Sequence, residues 1–179
     1  MSPDQGRVVY DHVRATRPAE VLELGTAHGV GAAYMAAAGA NVTTVDFAGS
    51  SYDPSPEQVL ERAGVADRVE VVREYSSYTW WLKEQVQARS DAQGNCEPRF
   101  DFAYLDGAKN WTVDGLAVVL IEKLLRPGGW LLMDDLDWTY AQDPGREATD
   151  GIVHRELSEP AKSTVTSRPA PLSRSAAAR

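Results

Sequence analysis

Five short apolar runs separated by stretches of helical character are the strongest constraint on how this chain can fold. Val21-Leu22-Glu23-Leu24 follows Pro18 and stops at Gly25, and Asn41 to Val45 is β-branched and ends on Asp46. Val69-Glu70-Val71-Val72 is the third run, Phe100 to Leu105 ends on Asp106, and Trp130-Leu131-Leu132-Met133 ends on Asp134-Asp135. Between them, Val30 to Ala38 is Ala-rich with Gly39 just beyond as a C-cap, and Pro54-Ser55-Pro56-Glu57 opens a helix through Arg62 with Ser55 as its cap. Tyr78 to Arg89 presents Trp81, Leu82 and Val86 on one face, and Ser90 to Pro98 is a polar loop. Val113 to Leu125 has apolar residues at helical spacing and is stopped by Arg126-Pro127-Gly128-Gly129. Strands alternating with helices are βαβ units. The expectation is an α/β fold with a doubly wound, mostly parallel sheet covered by helices on both faces. In such a sheet ligands bind beyond the carboxyl ends of the strands, so the residues just after each run are where chemistry belongs.

Composition limits the alternatives. The chain has 179 residues, 43% hydrophobic and 25% charged, which suits one globular domain with its own core. No apolar run approaches the roughly 20 residues of a membrane helix, and Met1-Ser2-Pro3-Asp4-Gln5-Gly6 lacks the basic and apolar regions of a secretory signal. Cys96 is the single cysteine, which fits a reducing cytoplasm. Residues 1 to 150 carry a net charge of −11 and residues 151 to 179 a net +3. So acidic a body repels a phosphate backbone, which argues against nucleic acid as a partner. From Ser158 to Arg179, Ser, Pro and Ala fill 13 of 22 positions. That composition cannot bury enough apolar area to offset ordering, so residues 1–157 are expected to form the domain and 158–179 a disordered tail.

The strand ends carry the functional signal. Glu23-Leu24-Gly25-Thr26-Ala27-His28-Gly29 follows the first strand; Gly25 permits a sharp turn, and Gly29 lets the next helix approach both turn and ligand. Asp46 is placed to accept hydrogen bonds from ribose hydroxyls. The dinucleotide pattern G-x-G-x-x-G fails at Ala27. Taken together, Glu-Leu-Gly-Thr-Ala-His-Gly, the acidic end of strand two, Ala66-Asp67-Arg68-Val69-Glu70-Val71-Val72 and Leu125-Arg126-Pro127-Gly128-Gly129 resemble the ordered motifs of class I S-adenosylmethionine-dependent methyltransferases over about residues 18 to 140. The resemblance implies a Rossmann-like sheet of order 3-2-1-4-5. It also implies that Glu23, Gly25, Thr26 and Gly29 surround the amino acid part of the cofactor, and that Asp46 and Phe47 hold the ribose and flank the adenine. Many relatives carry Gly-Asp after strand three; here Glu74-Tyr75-Ser76 stands there, with Ser76 as the adenine-side candidate. Relatives also carry a sixth strand and an antiparallel seventh, and nothing beyond Leu157 reads as able to form them.

A second cluster narrows the class. Asp106-Gly107-Ala108-Lys109 follows strand four and Asp134-Asp135 follows strand five, so three carboxylates should share one mouth beside the cofactor. Such crowding needs a cation or a proton, and an all-oxygen set suits Mg²⁺, with Mn²⁺ or Ca²⁺ as alternatives; an acidic solvated loop is the plainer reading. The cluster resembles the metal-dependent O-methyltransferases of the catechol and caffeoyl-CoA kind, in which an Asp three residues before a Lys, with a later Asp-Asn pair, holds the metal and the base. This chain departs at Asp135, where that family has Asn; the macrolide sugar O-methyltransferases carry an acidic-Asp pair but a His in place of Lys109. The resemblance implies that Asp106, Asp134 and Asp135 hold a divalent cation, and that Asp106 also lines the cofactor site; Lys109, if its pKa is depressed beside the cation, would remove the proton of a small-molecule hydroxyl.

Two other readings compete with an O-methyltransferase: a nucleotide-dependent oxidoreductase, and a shortened or non-catalytic cofactor-binding protein. In a shortened member the site would be open, and a second copy of the chain could cover it. His28 is expected to position backbone, His12 and His154 to be isolated, Cys96 to be incidental, and Trp111 and Trp138 to flank the acidic cluster.

Overall fold

Side-chain alternation along the strands divides the core into two layers, one on each face of the sheet. The computed structural model describes residues 1–136 and 165–167. In chain order the elements are α1 (Pro3–Thr16), β1 (Glu20–Leu24), α2 (Val30–Ala37), β2 (Asn41–Phe47), α3 (Pro56–Arg62), a 3₁₀ turn (Ala66–Arg68), β3 (Val69–Glu74), α4 (Tyr78–Ala88), β4 (Phe100–Leu105), α5 (Trp111–Leu124), β5 (Leu125–Met133) and β6 (Val165–Ser167). Leu22 and Leu24 of β1 and Ala103 and Leu105 of β4 pack with Tyr78, Trp81 and Leu82 of α4 and with Ala117, Ile121 and Leu124 of α5. Val21, Phe102 and Tyr104 point the other way, onto Val9 and Val13 of α1, Met35 and Ala36 of α2 and Leu60 of α3. The period of two along each strand therefore decides which helices it serves.

The sheet order is β3-β2-β1-β4-β5-β6, with the first five strands parallel. The expected order 3-2-1-4-5 is the one observed. Strand order reverses between β1 and β4, and the crevice at their carboxyl ends is the binding position for an open α/β sheet.

Three features depart from the sequence reading. First, residues ahead of β1 form α1, which packs on one face of the sheet and has no counterpart in the strand-centred reading. Its start is a capping box, with the Ser2 hydroxyl accepting from the Gln5 N–H, Pro3 in the first turn and Val9 and Val13 one helical turn apart on the buried face. Second, Arg126-Pro127-Gly128-Gly129 does not separate helix from strand. β5 starts at Leu125, opposite Phe100, and the register shifts before Trp130 pairs with Phe102, so these residues form an irregularity within the strand. Asp101 anchors it, accepting from Arg126 Nη1 at 2.7 Å and from the backbone of Ala19 and Glu20 at 2.9 and 3.0 Å.

Third, the expectation that the tail cannot supply an edge strand is corrected. Val165–Ser167 pairs antiparallel with β5, setting Ser167 opposite Trp130 and Val165 opposite Leu132. Three residues suffice because pairing requires only backbone groups matched to the free edge of β5, not a second apolar face. The remainder of the proposed tail lies outside the described residues.

Phe102 is 1% exposed at the centre of the α1–α2 layer. Phe102→Ala is expected to lower the unfolding free energy by about 3–5 kcal/mol. Arg7→Ala, which removes an exposed ion pair within α1, should change it by less than about 0.5 kcal/mol. Urea denaturation of both variants checks the contrast.

Candidate active site

The turn after β1 is built by one close approach. Gly25 has φ +99, and a Cβ there would collide with the carbonyl oxygen of Asp106. Gly25 N–H donates to Val45 O and Asp106 N–H to Leu24 O, each at 2.9 Å, so the turn is tied to β2 on one side and β4 on the other. Gly29, at φ +79, lies against Pro56 at the start of α3, the nearest atom 2.9 Å from where a Cβ would be. Beneath the turn Glu23 is 1% exposed and Gly31 of α2 passes so close that a Cβ would meet its Oε1. Thr44 Oγ1 donates to Glu23 Oε2 at 2.6 Å and shares a 2.7 Å hydrogen bond with Thr26 Oγ1. Burial pushes the Glu23 carboxyl up to about 8, against the pull of the Thr44 hydroxyl and with help from the charges of Asp106 and Asp46.

Asp46 closes β2 with its carboxylate turned to the same turn. Oδ2 accepts from Ala27 N–H and Oδ1 from Phe47 N–H, both at 2.7 Å, and each oxygen retains a lone pair for a hydroxyl donor. The Ala27 bond also supports a backbone at φ 44, unusual for a residue with a Cβ. Phe47 is 48% exposed and its ring lies over Gly49. Ser76 sits just past the β3 end that pairs with Phe47, its N–H bound to Glu74 Oε1 at 2.9 Å. His28 Nδ1 is 2.9 Å from the backbone oxygen of Pro54, and its ring meets Tyr52 edge-on.

The acidic mouth forms beside this turn. Carboxylate oxygens of Asp106, Asp134 and Asp135 lie within 4.8 Å of one another, as the neighbouring positions of β4 and β5 require. Lys109 stands among them, with Nζ 2.5 Å from Asp106 Oδ1 and 2.5 Å from Asp135 Oδ2. Burial acts to lower the Lys109 pKa, but its hydrogen bonds to Asp106 and Asp135 and their charges outweigh burial and hold it above the ordinary lysine value. This is the state with two carboxylates facing the ammonium; the depressed pKa expected of Lys109 belongs to a site that holds a cation. Asp134 is held from the other side: Tyr104 Oη donates to Oδ2 at 2.8 Å, and Gln5 Nε2 of α1 approaches both oxygens at 3.2 and 3.4 Å. Gln5 and Tyr104 were not among the sequence candidates. The inward parity of Tyr104, two residues before Asp106, was the available signal for one; Gln5 had none, being 129 residues from its partner.

Residues 22–136 match the sequence model of a family described as the methyltransferase domain. The chain belongs to that family. No curated protein matches it. Among solved structures, the O-methyltransferase from Bacillus cereus in complex with SAH is 24% identical with a TM-score of 0.62, over 76% of this chain and 58% of that one. The O-methyltransferase TomG from Streptomyces achromogenes, in complex with SAM, is 22% identical with a TM-score of 0.59, over 84% and 60% of the two chains. Cofactor-bound Rv0187 from MTB is 28% identical with a TM-score of 0.60, over 76% and 57%. This chain therefore spans about three fifths of the length of those neighbours.

Other side chains take structural places in the methyltransferase domain. His12 packs its ring on Phe102 and Trp130, centroids 5.0 and 5.5 Å away, and burial lowers its pKa. Trp111 is 83% exposed and lies along α5 toward Gly115. Trp138 and His154 lie outside the described residues. No helix among the described residues is long and apolar enough to cross a membrane.

Glu23 makes stability pH-dependent in a definite direction. Its folded pKa of about 8 exceeds the ordinary 4.5, so between those values the folded state holds a proton that the unfolded chain releases. This contribution is complete below the lower value and is lost as pH rises through the upper one. Urea denaturation at pH 5 and pH 8.5 should show wild type losing at least about 1 kcal/mol more than Glu23→Gln over that interval. Equal losses would mean that Glu23 is ionised throughout.

Proposed function

We propose that this methyltransferase uses S-adenosylmethionine to methylate a hydroxyl of a small molecule, a phenol, catechol or sugar, with a divalent cation, Mg²⁺ by preference, at the acidic mouth. One observation carries the reading: the glycine turn and the acidic cluster share a wall, the backbone of Gly25 resting on the backbone of Asp106. A methyl donor in the turn and an acceptor at the carboxylates would then be neighbours.

The residues present fit both groups. For the cofactor, Gly25, Thr26 and Gly29 form a turn without obstructing side chains, Glu23 lies below it, Asp46 offers unused lone pairs, and Phe47 and Ser76 flank the far side. For a cation, Asp106, Asp134 and Asp135 supply hard oxygen donors. With Lys109 among them the four groups carry two net negative charges, the amount a divalent ion offsets. S-adenosylmethionine supplies an electrophilic methyl on a sulfonium, and a divalent cation supplies Lewis acidity toward the acceptor hydroxyl.

The chain's own groups then have distinct tasks. Asp46 and Glu23 fix the donor, so attack is confined to one line. Lys109 handles the acceptor. Paired with Asp106 and Asp135, Nζ is an ammonium and steadies a developing oxyanion; with its proton lost it would serve as the base. The acidic body disfavours nucleic acid as acceptor, Cys96 suits a reducing cytoplasm, and a second copy of the chain is the proposed cover for the open mouth.

Calorimetry with S-adenosylmethionine, with and without Mg²⁺, tests the cofactor; absence of binding under both conditions overturns the reading. Methyl transfer to catechol should stop in excess EDTA and return with Mg²⁺, and full activity in chelator would remove the cation. Lys109→Ala should lower kcat about 10²–10⁴-fold while cofactor affinity changes less than about threefold. Unchanged turnover would take Lys109 out of the mechanism.

A further inference from the structure

The segment bearing Asp106 and Lys109 has no regular structure of its own, yet it must hold two functional side chains at fixed positions. Residues 106 to 110 lie between β4 and α5 in neither helix nor strand, and Lys109 sits at φ +60, a left-handed conformation that a side chain with a Cβ adopts at a cost. Something outside the segment must hold it there.

The restraint comes from α4 and α5. Tyr78, the first residue of α4, is 7% exposed and belongs to the core with Trp81 and Leu82, so its ring is fixed by packing. Its hydroxyl accepts the Ala108 N–H at 2.9 Å and donates to Asp114 Oδ1 of α5. The other carboxylate oxygen of Asp114 accepts the Asn110 N–H at 3.1 Å. Asn110 in turn caps α5, with Oδ1 accepting from Val113 N–H at 2.9 Å and Thr112 Oγ1 at 2.8 Å. Gly107 lies directly against the Tyr78 hydroxyl, where a Cβ would collide. Two backbone donors on either side of Lys109 thus end on one Tyr–Asp pair, and neither member of the pair makes a hydrogen bond or ion pair with Lys109 or Asp106 among those described.

We propose that Tyr78 and Asp114 act as positioning residues, a lock on the β4–α5 connection that aims Asp106 and Lys109 into the mouth. The inference rests on the methyl-transfer reading of that mouth for its catalytic consequence, while the lock itself does not. Because the two hydroxyl bonds and the two carboxylate bonds close through a single Tyr–Asp contact, the pair works as a unit. Loss of either member frees the same segment.

The test uses the full chain as wild type, Tyr78→Phe, Asp114→Ala and the double variant. Tyr78→Phe retains the buried ring and is the arm least exposed to misfolding. Hydrogen–deuterium exchange should show amides 107–110 exchanging at least about tenfold faster in each variant, with the Gly25–Gly29 turn unchanged. Calorimetric affinity for S-adenosylhomocysteine should stay within about threefold, whereas kcat for methyl transfer to catechol should fall at least about tenfold. The double variant should lose no more than the worse single one, as expected of coupled residues. Unchanged exchange in Tyr78→Phe overturns the lock. Faster exchange with unchanged kcat overturns the positioning role, as does a fall in kcat matched by an equal fall in cofactor affinity. If wild type binds no S-adenosylhomocysteine, the functional reading fails on its own, and the exchange measurement still decides whether the lock exists.

Discussion

The contact of Gly25 with the carbonyl of Asp106 is the constraint on which the rest of the site depends. It lies where the strand order reverses, between β1 and β4, and it is possible only because position 25 has no Cβ and can take φ +99. From it follow the turn that runs into α2, the depth at which Glu23 is buried, and the nearness of the acidic mouth. A larger residue at position 25 would separate β1 from β4 at their carboxyl ends. That would part the two halves of the proposed chemistry.

Charge is managed differently on the two sides of this contact. Beneath the turn, Glu23 is sealed from water and its carboxyl is pushed toward the neutral form, with hydroxyls as its partners. At the mouth, three carboxylates remain together because Lys109 sits among them and because Tyr104 and Gln5 hold Asp134 from behind. One side lowers the cost of burial by a proton and the other by an internal cation.

Legibility of the site from sequence followed sequence distance. Glu23, Gly25, Gly29 and Asp46 were readable because a strand end, a turn and a helix start are local and leave residue types in order. Asp106, Asp134 and Asp135 were readable as soon as strands four and five were taken as neighbours. Lys109 was legible as a neighbour of Asp106, but its pairing with Asp135 was not: that contact goes with a backbone at φ +60 and +54 at those two residues, which composition does not encode. Gln5, Tyr78 and Asp114 were not found as site residues. Each looks like an ordinary helix residue until the fold carries it 36 or 129 positions along the chain to its partner.

By itself the sequence determined the five strands alternating with helices, the turn at Gly25–Gly29, and the set of carboxylates at the strand ends, because periodicity and residue type act over a few residues; the strand order came from the resemblance to a known family. Only the tertiary structure decided that α1 covers one face and reaches Asp134, that Arg126 to Gly129 is absorbed within β5, and that Val165–Ser167 pairs at the sheet edge. It alone also set Lys109 between two carboxylates. These outcomes depend on which backbone and side-chain groups remain unsatisfied once the sheet has closed. That is settled by packing across the whole domain rather than by any short stretch of it.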